Sequence, residues 1–173
     1  MALDTVIIQN KVSQKFGEDV TAFGMQRDIF SFEVAPHRLH ELIDFLKNDA
    51  ELNFHFLTDL AGVQYPELDE NHQFQVVYQL HNWVENIRLR VKTYVPATLE
   101  IDTITNLFLC ANWMEREAYD FFGIKFKGHP QLKRILNMDE MVSFPMRKEF
   151  PMEDQGRTDK DDRFFGRVPV NCN

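Results

Sequence analysis

Two acidic side chains and one histidine have a spacing that could support chemistry. Glu117 and Asp120 lie three positions apart, which places both on one face of a helix, and His129 follows in the next segment. Together they could bind a metal ion, or the two carboxylates could act as acid and base. A structural network of ion pairs, with Arg116 pairing to Asp120, is favoured, because carboxylates at this spacing are common on solvated helix faces.

Other sites with recognisable patterns are missing from the sequence. It contains no nucleophile elbow, phosphate-binding loop or dinucleotide-binding fingerprint, and only 7 glycines. The cysteines, Cys110 and Cys172, lie far apart and cannot supply the four thiolates of an iron–sulfur cluster or a structural zinc site. We therefore expect no cofactor, metal or catalytic residue in this chain.

Length and charge restrict the class of protein further. The chain has 173 residues, enough for one domain with a core, and a net charge of −8, which disfavours nucleic acid and anionic lipid as partners. No stretch approaches the about 20 apolar residues of a spanning helix, and residues 1–10 resemble neither a secretory signal nor a transit peptide. We expect a protein made in the cytoplasm that meets a membrane only through partners.

The elements that must position these residues follow from hydrophobic periodicity. Helical spacing predicts helices over residues 5–16, 37–48 and 103–122. For the last of these, Asp102 is a suitable N-cap, and Gly123 can adopt the left-handed conformation that ends a helix.

Strands are predicted over residues 29–34, 53–60, 74–80 and 87–95, the last two as a hairpin with one wet face. The outward positions of the second hairpin strand are Arg88, Arg90, Lys92 and Tyr94. Strands interleaved with helices predict an α+β fold, a small and mainly antiparallel sheet with packed helices.

The sequence changes character after residue 136. Residues 137–173 contain prolines and many charges without sustained periodicity, yet they keep large apolar residues such as Phe144, Phe150, Phe164 and Phe165. A plain disordered tail is one interpretation. We favour a core domain over residues 1–136 and an extended C-terminal arm over 137–173 that becomes ordered on a partner.

A long pattern of fixed charges resembles a known signature. Residues 115–122 (EREAYDFF), His129 and residues 133–136 (KRIL) match the signature of the C-type, or 30 kDa, subunit family of respiratory complex I (NADH:quinone oxidoreductase, NDH-1). Residues 145–151 (PMRKEFP) resemble the tail motif of that family with two conservative changes, although a tryptophan often found before it is absent. The resemblance extends from about residue 28 to residue 151.

The resemblance implies a function for the chain. It implies a cofactor-free component of the hydrophilic arm, on the cytoplasmic side of a bacterial cell membrane. Its partners would be subunits D, B and I of the complex, and chiefly the first of these, a hydrogenase-like protein that forms part of the quinone cavity. The whole enzyme would pass electrons from NADH through FMN and Fe–S clusters to quinone and couple this to ion translocation.

The resemblance also assigns structural or interface roles to particular residues. One group would fix the helix end and the segment after it: Glu115, Arg116, Glu117, Asp120, His129, Pro130 and Arg134. A second group would hold the arm on its partner: Arg147, Lys148, Phe150 and Pro151.

Two alternatives stay open at this point. One is the equivalent subunit of a membrane-bound energy-converting hydrogenase or of a ferredoxin- or F420-linked complex, which this one chain barely distinguishes. The other is a soluble metal-dependent enzyme that uses Glu117, Asp120 and His129.

Overall fold

A computed structural model of the chain describes residues 4–150. Three helices and seven strands alternate along it. The helices are α1 (Thr5–Phe16), α2 (Leu39–Asn48) and α3 (Ala111–Phe122). The strands are β1 (Val20–Gln26), β2 (Ile29–Val34), β3 (Phe56–Gln64), β4 (Phe74–Asn82), β5 (Ile87–Val95), β6 (Glu100–Asp102) and β7 (Lys125–Lys127).

The main sheet has five strands in the order β1-β2-β5-β4-β3. All neighbouring pairs are antiparallel except β2 and β5, which run parallel. The predicted hairpin is confirmed: β4 and β5 pair without a bulge from Phe74 opposite Val95 to Asn82 opposite Ile87. The predicted α+β class with a mainly antiparallel sheet is therefore correct.

The core lies between the helices and one face of the sheet. Alternate side chains of β4 and β5 are buried, as the period of two requires, and Tyr78 is the largest of them. The helices contribute Ile8 and Val12 from α1 and a stripe on α2. The buried α2 residues are Leu39, Leu42, Ile43 and Leu46. Each large apolar side chain buried in this way stabilises the fold by about 1.5–3 kcal/mol.

The predicted helix over residues 103–122 is wrong in its first part. Asp102 ends β6, which pairs in parallel with β7, and α3 begins only at Ala111. The reason is that the polar groups of the intervening segment find other partners. The N–H of Thr103 donates to the carbonyl of Lys127 (3.0 Å), and the N–H of Ile104 donates to the carboxylate of Glu115 (2.8 Å).

Smaller differences concern the other boundaries. β1 was not predicted, because positive φ at Ala22 and an irregular register between Thr21 and Gly24 break the alternation of its side chains. The strand expected at 53–60 lies at 56–64, and a 3-10 turn precedes α2. Within the part of the chain that the structure describes, no helix is both long and apolar enough to cross a bilayer.

Residues 137–150 form no helix or strand, and they lie beside the end of α3. The N–H of Met146, for example, donates to the carbonyl of Phe121 (3.3 Å). The boundary at residues 136 and 137, and the docking of an arm on partners, stay predictions. Pro151, Phe164 and Phe165 lie outside the described residues.

Candidate functional site

Helix α3 ends where the sequence predicts, and the chain then returns along it. Gly123 has φ +77°, and its N–H donates to the carbonyl of Tyr119. Glycine adopts this left-handed conformation with little strain, and it therefore commonly ends helices. After β7 the chain turns back, so that residues 133–137 pass beside the last turns of α3.

The carboxylate of Asp120 is the centre of this arrangement. Its Oδ2 accepts hydrogen bonds from the N–H groups of Ile135 (3.1 Å), Leu136 (2.8 Å) and Asn137 (3.0 Å). Its Oδ1 accepts from Arg134 (2.8 Å) and from the side-chain amide of Asn137 (3.1 Å). Asp120 is fully buried, so this one side chain determines the path of the returning segment.

The guanidinium of Arg134 connects Asp120 to the segment that follows. Its Nη2 donates to the carbonyls of Met141 (2.6 Å) and Ser143 (3.0 Å), and its centre lies 4.9 Å from the ring of Phe144. A bidentate group with a planar fork of donors suits this role, which an ammonium could not fill. The ion pair therefore positions two stretches of the chain: residues 135–137 bond to Asp120, and Met141 and Ser143 bond to Arg134.

The electrostatics of Asp120 follow from these contacts. Burial on its own raises the pKa of the carboxyl, but the N–H groups of Leu136 and Asn137 and the guanidinium of Arg134 outweigh burial. The pKa of Asp120 is therefore held well below its usual range. The charge is a permanent structural one and does not suit a group that must exchange protons near neutral pH.

Arg116 does not pair with Asp120 as the helical spacing predicted. Its Nε donates to the carbonyl of Lys133 (3.1 Å) and its Nη2 to the carbonyl of Arg134 (3.2 Å). The guanidinium also lies over the exposed ring of Trp113, 4.7 Å from its centroid. The side chain of Arg116 thus bonds to backbone carbonyls of the same returning segment.

Glu115 faces away from this network, although the resemblance grouped it with Asp120. Its fully buried carboxylate accepts from the hydroxyl of Thr103 (2.5 Å) and the N–H of Ile104. Burial raises its pKa to about 7, and these two hydrogen bonds offset only part of the shift. The buried hydroxyl of Tyr78 has no hydrogen-bond partner among residues 4–150, and burial, then the charge of Glu115, raises its pKa.

The structure does not assemble Glu117, Asp120 and His129 into a metal site. Glu117 is exposed, and the oxygens of Asp120 are occupied by donors. Both nitrogens of His129 are used: Nε2 lies 3.1 Å from the carbonyl of Asn112, and Nδ1 accepts the N–H of Gln131 (3.0 Å). In the described ranges, no three His, Cys, Asp or Glu side chains are placed to hold a metal ion.

Those contacts give His129 a structural role, since both ring nitrogens bond to backbone groups of the chain. The histidine joins α3 to the loop after β7. Pro130 is exposed beside it.

The predicted tail residues lie along the same side of the molecule. Arg147 Nε donates to the carbonyl of Phe122 (2.8 Å), and its guanidinium lies 4.6 Å from the ring of Phe144 and 5.1 Å from that of Phe74. The N–H of Lys148 donates to Gln64 Oε1 (2.7 Å). The side chain of Arg147 therefore makes its contacts within this chain, whereas Lys148 and Phe150 are exposed.

Sequence reasoning missed Gln64 as a member of this site. The side chain is buried in β3, and besides accepting from Lys148 it donates to Glu149 (3.1 Å). Lys148 and Glu149 lie 84 and 85 residues after Gln64, and no local sequence pattern relates positions so far apart. Asn137 was also missed, although it directly follows the KRIL segment.

An apolar surface results from this packing. Five large side chains of the returning segment and the tail point outward, and we call them the C-terminal apolar surface. They are Leu136, Met138, Val142, Met146 and Phe150. All five fall within residues 136–150, and groups of exposed apolar residues mark interaction sites more often than single ones do.

Comparison with known proteins identifies the family. The family model for the respiratory-chain NADH dehydrogenase, 30 Kd subunit, matches residues 32–156. The NADH-quinone oxidoreductase C 2 subunit of Rhizobium etli (strain CIAT 652) is 35% identical over 98% of this chain and 88% of its own length. The mitochondrial NADH dehydrogenase [ubiquinone] iron-sulfur protein 3 of Candida albicans is 38% identical over 83% of this chain, which spans 54% of that relative.

Two solved structures share the fold of this chain. The trypsin-resistant fragment (1-134) of Nqo5 superposes with a TM-score of 0.59 at 30% identity, covering 73% of this chain and 98% of the fragment. A chain of the membrane-bound sulfane sulfur reductase, an archaeal respiratory membrane complex, shares the fold with a TM-score of 0.70 at 24% identity, covering 85% of each chain. The chain belongs to the 30 kDa subunit family of the respiratory-chain NADH dehydrogenase, complex I.

Proposed function

We propose that this chain is a cofactor-free structural subunit in the hydrophilic arm of an NADH:quinone oxidoreductase. In this role it contacts subunits D, B and I, and it holds the first of them, the quinone-site subunit, in register. Electrons pass from NADH through FMN and Fe–S clusters to quinone in the other subunits. The chain meets the membrane, on its cytoplasmic side, only through these partners.

The observation that carries the proposal is the C-terminal apolar surface and the way it is held. Asp120 and Arg134 bond to its backbone, and Arg147 ties the tail to the carbonyl of Phe122 in α3. A surface that is already ordered loses less conformational entropy on binding than a flexible tail does. The chain thus presents a preformed apolar face, which suits a permanent position in an assembly.

The buried charges support the same role. Asp120 and Arg134 form an ion pair whose side chains are 0% and 6% exposed. Five of their hydrogen bonds go to backbone groups of residues 135–143. This arrangement is suited to positioning a surface and not to acid–base chemistry.

The direct test is recovery of the tagged full-length chain from gently solubilised membranes, followed by an assay of NADH:quinone reductase activity. We expect the activity to co-purify with flavin, iron and sulfide. Hydrogenase or ferredoxin-linked activity in place of NADH oxidation would assign the chain to a sister complex. Recovery of the chain alone, folded and without partners, would refute a structural role in either assembly.

A cross-linking measurement on the same material tests the choice of partner. A photoreactive residue at Val142, which is 93% exposed, should cross-link to the quinone-site subunit. Cross-links from this position to other subunits only would refute that assignment while leaving the structural role in the complex intact.

A further inference from the structure

A second exposed surface lies at the turn between β4 and β5, far from the C-terminal apolar surface. Trp83 is 67% exposed, and Val84, beside it, is 80% exposed. The Trp83 ring meets Phe56 edge to face at 5.2 Å and lies 5.8 Å from the ring of His81. We call Phe56, His81, Trp83 and Val84, with the neighbouring Arg27 and Arg88, the hairpin-tip surface.

The turn that presents Trp83 is held from beneath by a buried amide. Asn82 donates from its side chain to the carbonyl of Leu52 (2.9 Å). Its Oδ1 accepts the N–H groups of Val84 (2.9 Å) and Glu85 (3.1 Å). Because Asn82 and Leu52 are both buried, the backbone of the turn that carries the exposed tryptophan is held in place. Rigidly held aromatic residues are those that most often dominate binding energy at interfaces.

Two depressions adjoin this turn and share Ile29 and Arg88 in their walls. One, of about 270 Å³, runs between Phe56 and Arg88 and is lined by apolar and uncharged side chains otherwise. The other, of about 410 Å³, lies between Arg88 and Arg27 and also contains Asp28. The surface therefore leads from an apolar groove to a cationic one.

The depressions are bordered by two guanidinium groups, of Arg27 and Arg88, and by one carboxylate, of Asp28. Glu85 is also exposed on the turn after Trp83, but it lines neither depression. Within residues 4–150, neither Arg27 nor Arg88 forms an ion pair or a hydrogen bond through its side chain. Guanidinium groups beside an apolar groove are complementary to a carboxylate that follows a large apolar side chain.

We infer that the hairpin-tip surface binds an acidic segment of another protein, in which a large apolar residue enters the groove beside Phe56 and a nearby carboxylate pairs with Arg88. This site is separate from the one in the proposed function. The two lie at opposite ends of β4, since Arg147 stacks over Phe74 at one end and Trp83 follows Asn82 at the other. A strand of this length separates them by about 25 Å.

A protein segment is favoured over an anionic membrane. The two depressions that would receive the segment are concave, and one contains Asp28, whereas a membrane-binding face combines a broad apolar surface with several basic residues. The inference does not depend on which assembly contains the chain, and its test is therefore made in intact cells.

The test replaces Trp83 of the full-length chain by the photoreactive residue p-benzoylphenylalanine. After irradiation of cells, the cross-linked peptides are sequenced by mass spectrometry. We expect a peptide from another protein with Asp or Glu within a few residues of a large apolar residue. The Arg88→Glu change should reduce its yield by about tenfold. The matched change Lys125→Glu, at an exposed residue of β7, should leave the yield unchanged.

Two further variants protect the result against a folding defect. Arg27→Glu, on the turn between β1 and β2, should also lower the yield, and exchanging the carboxylate of the identified segment for arginine should restore binding to Arg88→Glu. Cross-links to lipid, to a second copy of this chain, or to a segment without carboxylates would overturn the inference. So would the absence of cross-links, or a yield that Arg88→Glu and Arg27→Glu do not change.

Discussion

Arg134 Nη1 lies 2.8 Å from the Oδ1 of Asp120, and the two side chains are 6% and 0% exposed. The pair forms between the last turn of α3 and a segment that reaches it only after β7. It therefore depends on tertiary packing, and it in turn fixes residues 135–137 by three backbone hydrogen bonds.

Replacing Asp120 by asparagine should strongly destabilise the domain. The change leaves Arg134 buried without a counterion and removes one acceptor from a set of converging N–H groups. We expect the free energy of unfolding, measured by urea denaturation, to fall by about 3–5 kcal/mol. The matched change Asp139→Asn, at an exposed residue, should alter it by less than about 0.5 kcal/mol. Equal effects of the two changes would mean that the buried pair is not stabilising.

The stability of the domain should depend on pH through Glu115. Its folded pKa is about 7, against a usual value of 4.5, so the folded state binds more protons between these values. The contribution of Glu115 to stability is therefore fully present below pH 4.5 and is lost as the pH rises to about 7, a loss of about 3 kcal/mol.

The contribution of Glu115 is isolated by comparing variants over that pH range. The difference in unfolding free energy between Glu115→Gln and the unchanged protein should grow in favour of the variant as the pH rises. Glu117→Gln, two residues along and exposed, should follow the unchanged protein at every pH. A parallel pH dependence of Glu115→Gln and the unchanged protein would contradict the raised pKa.

Close packing of α3 on β3 makes a third prediction. A Cβ at Gly62 would lie 2.7 Å from the Cδ2 of Phe122 and 3.4 Å from the Cδ1 of Ile124. Gly62→Ala must therefore displace the ring of Phe122 at the end of α3, at an expected loss of about 1–3 kcal/mol in thermal or urea unfolding. Gly24→Ala in β1 meets no atom within 4 Å and should be tolerated. A fully stable Gly62→Ala protein would show that this ring can move aside without cost.

These cases indicate which features a sequence can predict. The β4–β5 hairpin follows from a period of two that depends only on neighbouring positions, and Gly17 and Gly123 end their helices through local geometry. The segment over 103–110 could not be predicted in this way. Its helical stripe is genuine, but the pairing of Asp102 with β7 and the carboxylate of Glu115 prevent a helix there.

The candidate site shows the same limit. Helical spacing predicted that Arg116 pairs with Asp120, but Asp120 is fully buried and Arg116 is only half-buried. The partner that the fold supplies is Arg134, and no local pattern relates the positions of these two residues. The family pattern included all three residues, without indicating which of them form a pair.

Arg116 provides a test that separates stability from assembly. Its two hydrogen bonds reach the carbonyls of Lys133 and Arg134, directly before the C-terminal apolar surface. We expect Arg116→Ala to lower the amount of assembled complex by about fivefold, as judged by native electrophoresis of solubilised membranes. Arg116→Lys keeps the charge but cannot span both carbonyls, so it should show a similar defect. Normal assembly and quinone reductase activity in both variants would contradict a role for Arg116.

The C-terminal apolar surface itself should be needed for assembly and not for folding. Val142 is 93% exposed, so Val142→Asp removes no packing from the free chain and should leave its unfolding temperature within a few degrees of the original. In a buried interface the same aspartate would be an unpaired charge, and incorporation into the complex should fall by about tenfold or more. Leu68→Asp, at an exposed apolar residue between β3 and β4, supplies the control and should assemble normally. Equal incorporation of the two variants would mean that Val142 faces water in the assembled enzyme, and the docking face would then have to be sought elsewhere on the domain.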